Sequence, residues 1–295
     1  MNHWWIVFAL LAAFFQAARI AVAKQLSFNF SAQALTFYVN FASLLVTFPL
    51  IYWHHDFPVT NSSYLRAILI GALLSGLGGW AFNQAIKISE ISIVGPLMTL
   101  TPGAAVIIEW VLLSDNPSGT GFLGIVLLSV GSYFLGLNPA KTGWFGPLLL
   151  IFTHPGGRLS LIASLCFASA STFGREAIGL SDSLSFAVMV SIINPLVLFC
   201  MFTLQHRYFY REILGGLNRQ YLLALLSLGL LFALMRIADQ IALGMALASY
   251  VMAVKRMAGV FTVIIGHIMF REERLSLKLL GSVIMVSGVW VMIYD

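Results

Sequence analysis

Long apolar runs separated by short polar breaks fill this chain from end to end. Each run is about 20 residues long, the length a helix needs to cross a bilayer. Read in order, they predict helices over about 4–23, 32–53, 64–86, 91–113, 120–137, 159–178, 184–204 and 221–243. Two more fall within 249–295, joined by the charged turn Arg271 to Arg274. The fold class expected is therefore all-α and integral to a membrane, with ten transmembrane helices. The breaks carry Gly, Pro, Asn and Ser, the residues that end helices and turn chains. The 139–158 connection contains WFGPLLLIF, which is apolar but too short to span and is read as lying at the interface.

Polar positions inside the runs are few. Asn40 stands alone in the second helix, and Asn194-Pro195 interrupts the seventh. Pro96 and Pro102 interrupt the fourth, with Thr99 and Thr101 between them and Glu109 near its far end. Broken helices are tolerated at membrane depth where they are buried in protein or line a cavity. The ninth helix carries two adjacent cations, Lys255 and Arg256, in the middle of its span. A charge at that depth costs roughly 2.5–3.5 kcal/mol even on the lenient insertion scale. The pair is expected to face a cavity and meet negative charge there. On the eighth helix Arg236 and Asp239 are three apart, share a face, and are expected to neutralise each other. In the first helix Gln16 and Arg19 also share a face.

Composition sharpens the class. The 295 residues are 60% hydrophobic and only 9% charged. A soluble domain carries roughly 25% charged residues. Lipid is the solvent this surface suits. The net charge of +5 does not point to nucleic acid, because the basic residues are scattered over helix ends and short loops. Cys166 and Cys200 sit in apolar runs as small hydrophobes. His54 and His55 are adjacent, a poor geometry for holding one metal, and no metal or cofactor is expected. No nucleophile triad, HExxH, Walker or dinucleotide pattern appears, so an enzyme is not expected and ATP is not the expected drive. The expected partners are the bilayer, a small-molecule substrate and a coupling proton or ion.

An internal repeat organises the chain. A shift of 157 residues brings Ala85 onto Ala242, Ser92 onto Ser249, and 106–108 onto 263–265. It also brings Gly124 onto Gly281 and Gly131 onto Gly288. The units are 1–138 and 159–295, with 139–158 as the connection. Five spans in each unit is an odd number, so the copies must insert with opposite orientation. Inverted repeats are a transporter architecture with the substrate site at the midplane. The halves differ at that depth: Lys255 and Arg256 fall on Met98 and Thr99, and Gly259 falls on Pro102.

This arrangement resembles the drug/metabolite transporter superfamily, in particular its EamA-type members. The clearest match is FREERLSLKLLGSVIMVSGVWVM, with Glu273 in a short turn, then Gly281 and Gly288. The first half departs from the pattern, with Asn116 where the acid is expected and Asp115 beside it. The Lys255-Arg256 pair also looks like the anion-binding pair of organic-phosphate translocators in the same superfamily. What carries over is the binding of an anionic group, not of phosphate in particular. The resemblance implies a secondary transporter, expected to export a small anionic metabolite such as an amino acid, organic acid or phosphorylated compound by alternating access. Lys255, Arg256, Asn40, Asn194 and Thr99 are its candidate substrate-binding residues. Arg256 or Lys255 alone would face the substrate if the other pairs with Glu109 or Asp239. Glu109 and Asp239 are the candidate ion-coupling residues. The alternative is a proton-coupled exporter of cationic or neutral drugs, for which Glu109 is the candidate proton site. A lipid-handling scaffold is disfavoured, since it needs neither the repeat nor the buried polar groups.

A multi-pass protein of the cell membrane is expected, the bacterial inner membrane in particular. Lys24, Lys87, Lys141, Arg158, Arg207, Arg211, Arg219, Arg271, Arg274 and Lys278 lie on or beside the odd-numbered loops, against Arg66 and Arg175 on the even ones. The excess of cations on cytoplasmic loops puts the odd loops in the cytoplasm and both termini outside. Family habit places the termini inside.

Overall fold

The computed structural model describes residues 3–52, 61–89, 91–137, 143–205, 207–216, 219–262, 264 and 276–294. The His54-His55 loop and the turn containing Glu273 lie outside the described residues. Among the described residues all regular structure is helical. In chain order the helices are α1 (Trp4–Leu26), α2 (Ala32–Thr47), α3 (Ser62–Ile88), α4 (Ile91–Met98), α5 (Leu100–Leu113) and α6 (Gly119–Gly136). They continue with α7 (Gly146–Thr153), α8 (Pro155–Gly179), α9 (Ser183–Gln205), α10 (Phe209–Gly216), α11 (Arg219–Met245), α12 (Ala248–Lys255) and α13 (Ser276–Ile293). Among the described residues six stretches are long and apolar enough to cross a membrane: 32–50, 62–88, 94–113, 119–136, 183–205 and 220–245. Shorter apolar helical stretches occupy Trp4–Ile20 and Leu277–Ile293. The protein is thus a multi-pass helical membrane protein.

Local chemistry sets several boundaries. Ser31, Asn61 and Ser118 each accept a backbone N–H from the first turn of α2, α3 and α6, satisfying donors that have no partner within the helix. Pro49 turns the end of the second run into a 3₁₀ segment over Phe48–Tyr52, so α2 stops at Thr47, earlier than the hydropathy suggests. The run 91–113 is not one kinked helix but two, parted at Thr99. The stretch GPLLLIFT is a short helix, α7, and the aromatic loop after α9 contains another, α10.

The helix boundaries repeat at the spacing seen in the sequence. Helix α3 runs 62–88 and α11 runs 219–245. Helix α4 runs 91–98 and α12 runs 248–255, and α6 runs 119–136 where α13 runs 276–293. Every one of these limits is offset by 157 residues. The packing follows the same exchange: α3 lies along α8, α11 lies along α1, and α6 lies along α13.

The α6–α13 crossing is built on glycine. A Cβ on Gly131 would come within 2.6 Å of the Gly281 carbonyl oxygen, and one on Gly281 within 2.6 Å of the Gly131 oxygen. Gly124 and Gly288 stand in the same reciprocal relation at 3.0 Å. Contact partners run in opposite senses along the two helices, so the pair is antiparallel. In lipid there is no hydrophobic drive between helices, and close backbone approach supplies the packing attraction instead.

Candidate functional site

The middle of the bundle carries a band of polar side chains. It starts with the break between α4 and α5. Pro102 has no N–H to give to the Met98 carbonyl four residues back. Two side chains take up that carbonyl. Thr101 Oγ1 donates to it at 2.8 Å, and Arg256 donates a guanidinium N–H to it at 3.0 Å. Thr99 Oγ1 folds back onto the Pro96 carbonyl at 2.6 Å. Arg256 itself lies just past the end of α12, where the chain breaks at the position matching Thr99. The two breaks therefore touch, and a cation from one satisfies a backbone oxygen freed by the other.

Lys255 is buried and donates to Asp239 Oδ2 at 2.8 Å. Asp239 does not pair with Arg236, although the two are three apart on α11. Arg236 is buried and committed elsewhere. It donates to Asn40 Oδ1 at 2.8 Å and to Ser191 Oγ at 3.0 Å, and its guanidinium lies 4.6 Å from the centroid of the Phe232 ring. Asn194 joins the same oxygen of Asn40 at 3.3 Å. Asn40 completes the set by donating to the Thr36 carbonyl at 2.9 Å. Asn40, Asn194 and Arg236 thus form one network, Lys255 and Asp239 a second, and Thr101 and Arg256 a third at the Met98 carbonyl, with Thr99 turned onto Pro96 beside it.

Some polar atoms in this band have no protein partner among the described residues. They include Asn194 Oδ1, Asp239 Oδ1, Gln240 Oε1 and Arg19 Nε. An unmet polar atom away from water costs about 1–3 kcal/mol. A cluster of them is unusual for a purely structural interior, and it suits a site that exchanges partners.

Glu109 lies outside this band. It is fully buried and its two oxygens accept the backbone N–H groups of Ala248 at 2.6 Å and Ser249 at 2.8 Å. It is the cap of α12, supplied by another part of the chain. Carboxylates suit helix N-termini because free N–H groups and the helix dipole both favour negative charge there. Arg175 approaches it at 3.5 Å and pairs closely with Asp115. Glu109→Ala leaves the two N–H groups of α12 unmet and is expected to cost about 2 kcal/mol, with Glu109→Gln costing less. Chemical denaturation of the purified protein in mild detergent checks the order of the three proteins.

Sequence reasoning named Asn40, Asn194, Thr99, Lys255, Arg256, Glu109 and Asp239; it passed over Ser191 and Phe232, and it counted Arg175 only as a cation beside a loop. It noted Arg19 toward the far end of the first helix, on a face shared with Gln16. The available signal was that Arg19 falls well inside α1, since that helix runs on to Leu26.

Comparison with known proteins follows from this geometry. Residues 3–137 match the EamA-like transporter family. The amino-terminal half of the chain is similar to that family. That family is one of membrane transporters, and the match agrees with the drug/metabolite transporter superfamily as its wider setting. A solved crystal structure superposes on 99% of this chain, and on 97% of its own length, with a TM-score of 0.74 and 13% identity. At that identity the likeness speaks for the fold. No curated protein sequence matches the chain.

Proposed function

We propose that this protein is a secondary transporter that exports a small anionic metabolite by alternating access. The observation that carries the anionic part is charge balance in the interior. Arg19, Arg236 and Arg256 have no carboxylate within ion-pair range among the described residues, and Asp239, the acid of the polar band, is engaged by Lys255. Uncompensated cations at membrane depth are costly, and an anionic cargo would lower that cost. Asn40, Asn194 and Thr99 would orient it, and Lys255 and Arg256 would exchange their present partners for it. Asp239 is proposed as the coupling group: protonating it would release Lys255.

The architecture proposed is ten spans in two inverted repeats, 1–138 and 159–295. The shared helix limits, the exchanged packing of α1 with α11 and α3 with α8, and the antiparallel α6–α13 crossing support it. Rocking of one repeat against the other is the motion such a plan uses. A bacterial inner membrane, with the odd loops in the cytoplasm, is part of the same proposal. The drug-exporter reading has less support, because both oxygens of Glu109 are held by backbone donors.

The test is uptake into proteoliposomes of a labelled panel of organic acids, amino acids, sugar phosphates and lipophilic cations. Saturable uptake of an anion by the wild type, weakened at least about tenfold in Lys255→Met/Arg256→Met, is expected from the loss of charge-assisted bonds. Uptake of lipophilic cations alone refutes the anionic reading. An anion carried at unchanged affinity by the double variant removes Lys255 and Arg256 from the site.

A further inference from the structure

Helix α10 joins α9 to α11, and the runs 183–205 and 220–245 on either side of it are both long enough to cross a bilayer. Its eight residues cannot cross, so it lies where the membrane ends. Phe209 and Ile213, four apart on it, are buried against the protein. Phe209 packs edge-on against Phe37 of α2 and Phe202 of α9, with ring centroids 6.0 and 5.2 Å away. The Ile213 carbonyl accepts the Tyr38 hydroxyl at 2.5 Å. The short helix is thereby fastened to α2, two residues from Asn40.

The rest of the segment is turned outward. Arg207, Tyr208, Tyr210, Arg211 and Leu214 are all exposed, and so is Leu204 at the end of α9. The Arg211 guanidinium carbon lies 5.0 Å from the centroid of the Tyr208 ring and 5.7 Å from that of Tyr210. Its Nε donates to the Tyr210 hydroxyl at 3.0 Å. That bond takes one N–H and leaves the terminal groups of the guanidinium without a protein partner among the described residues. Arg207 has no such partner either. Glu212 is the acid of the segment, and it forms an ion pair with neither arginine.

We infer that α10 is a docking surface for the headgroup of an anionic phospholipid, with Arg207 and Arg211 holding its phosphate. Guanidinium groups carry the planar fork that matches phosphate oxygens. Two arginines free of acids give the segment the charge opposite to that of an anionic leaflet. Tyrosine rings suit headgroup depth, where one end is apolar and the other wet. The two rings also hold Arg211 in place, which limits the rotamer freedom lost on binding. Leu204 and Leu214 offer apolar surface to the acyl chains. A soluble phosphate offers the same charge but nothing to lie against those leucines and tyrosine rings. The site is separate from the polar band and does not depend on what the protein carries. Because Tyr38 ties α10 to the helix that bears Asn40, a bound headgroup steadies the bundle as well as the loop.

The test titrates the full chain, stripped of lipid in mild detergent, with phosphatidylglycerol, phosphatidylcholine and glycerol phosphate. Native mass spectrometry reads the lipid bound, and melting temperature reads its effect. The proteins are wild type, Arg207→Gln/Arg211→Gln, Arg207→Lys/Arg211→Lys, and Arg158→Gln as a control at another exposed cation. Phosphatidylglycerol is expected to bind the wild type and raise its melting temperature, with little effect from the other two probes. The double Gln variant is expected to weaken half-saturation by about 30-fold, at roughly fivefold for each cation removed. The double Lys variant, which keeps the charge but loses the fork, falls between the two, and it carries the test if the Gln variant does not fold. Arg158→Gln binds as the wild type does. Equal binding of phosphatidylglycerol by the wild type and either double variant overturns the site. An equal loss in Arg158→Gln overturns it in favour of diffuse surface charge. Phosphatidylcholine bound as tightly as phosphatidylglycerol overturns the headgroup class, and glycerol phosphate bound as tightly overturns the lipid. None of these outcomes touches the transport reading.

Discussion

Asp239→Leu is expected to lower the stability of the purified protein by about 3–5 kcal/mol, and adding Lys255→Met is expected to restore most of that loss. The reasoning starts from burial. Lys255 and Asp239 are both buried, and they face each other at 2.8 Å. Removing the carboxylate alone leaves an ammonium in an apolar span with its one charge partner gone. Removing both leaves two apolar side chains of similar volume, and replacing a buried pair in that way is often neutral or stabilising. A double-mutant cycle by denaturation in detergent reads the coupling directly. Additive losses would mean that the pair is not formed in the folded protein. The cycle has a second use. If the doubly substituted protein folds as well as the wild type yet carries no substrate, the pair serves transport and not stability.

Gly131→Leu is expected to be comparably damaging, for a different reason. The Gly281 carbonyl oxygen lies 2.6 Å from where a Cβ on Gly131 would sit, and a backbone atom cannot swing aside as a side-chain tip can. Helices α6 and α13 must separate along their length, which forfeits the contacts that hold them together in lipid. A loss of about 3 kcal/mol or more is expected, at the upper end for overpacked sites. Gly281→Leu is expected to match it because the contact is reciprocal. Gly119→Ala is the control on the same helix, since a Cβ there meets nothing within 4 Å. Yield of monodisperse protein and melting temperature are the readouts. Equal tolerance at 119 and 131 would show that the two helices do not pack as described.

Much of the architecture was legible because hydropathy and small residues are local signals. The apolar runs located the helices, and the 157-residue shift anticipated limits that later coincided at α3 and α11, α4 and α12, and α6 and α13. The matched glycines, read in the sequence as marks of the repeat, prove to be the contact points of the α6–α13 crossing. Side-chain partners were less legible, because they depend on contacts between distant segments. Spacing alone favoured Arg236 with Asp239, three apart on one helix. The fold gives Arg236 two acceptors from α2 and α9, and brings Lys255 back across the turn after α11 to take Asp239. Glu109 could not be assigned from sequence, since its partners are backbone groups 139 and 140 positions away. Pro102 was visible as a helix breaker, but nothing local says that the oxygen it frees will be met by Arg256.

The exchanged packing has a consequence for how the protein is made. Helix α1 lies along α11 and α3 along α8, so neither half of the chain buries its own first helix. Synthesis delivers the amino-terminal half to the membrane first. Until α11 and α12 emerge from the ribosome, Asn40 lacks Arg236, the Met98 oxygen lacks Arg256, and Glu109 has no helix end to cap. The nascent half must be sheltered in that interval, by the insertion machinery or by a companion helix, and stalled chains of that length are natural targets for membrane proteases. Two separately synthesised halves, produced together, would meet the same need and assemble into one working bundle.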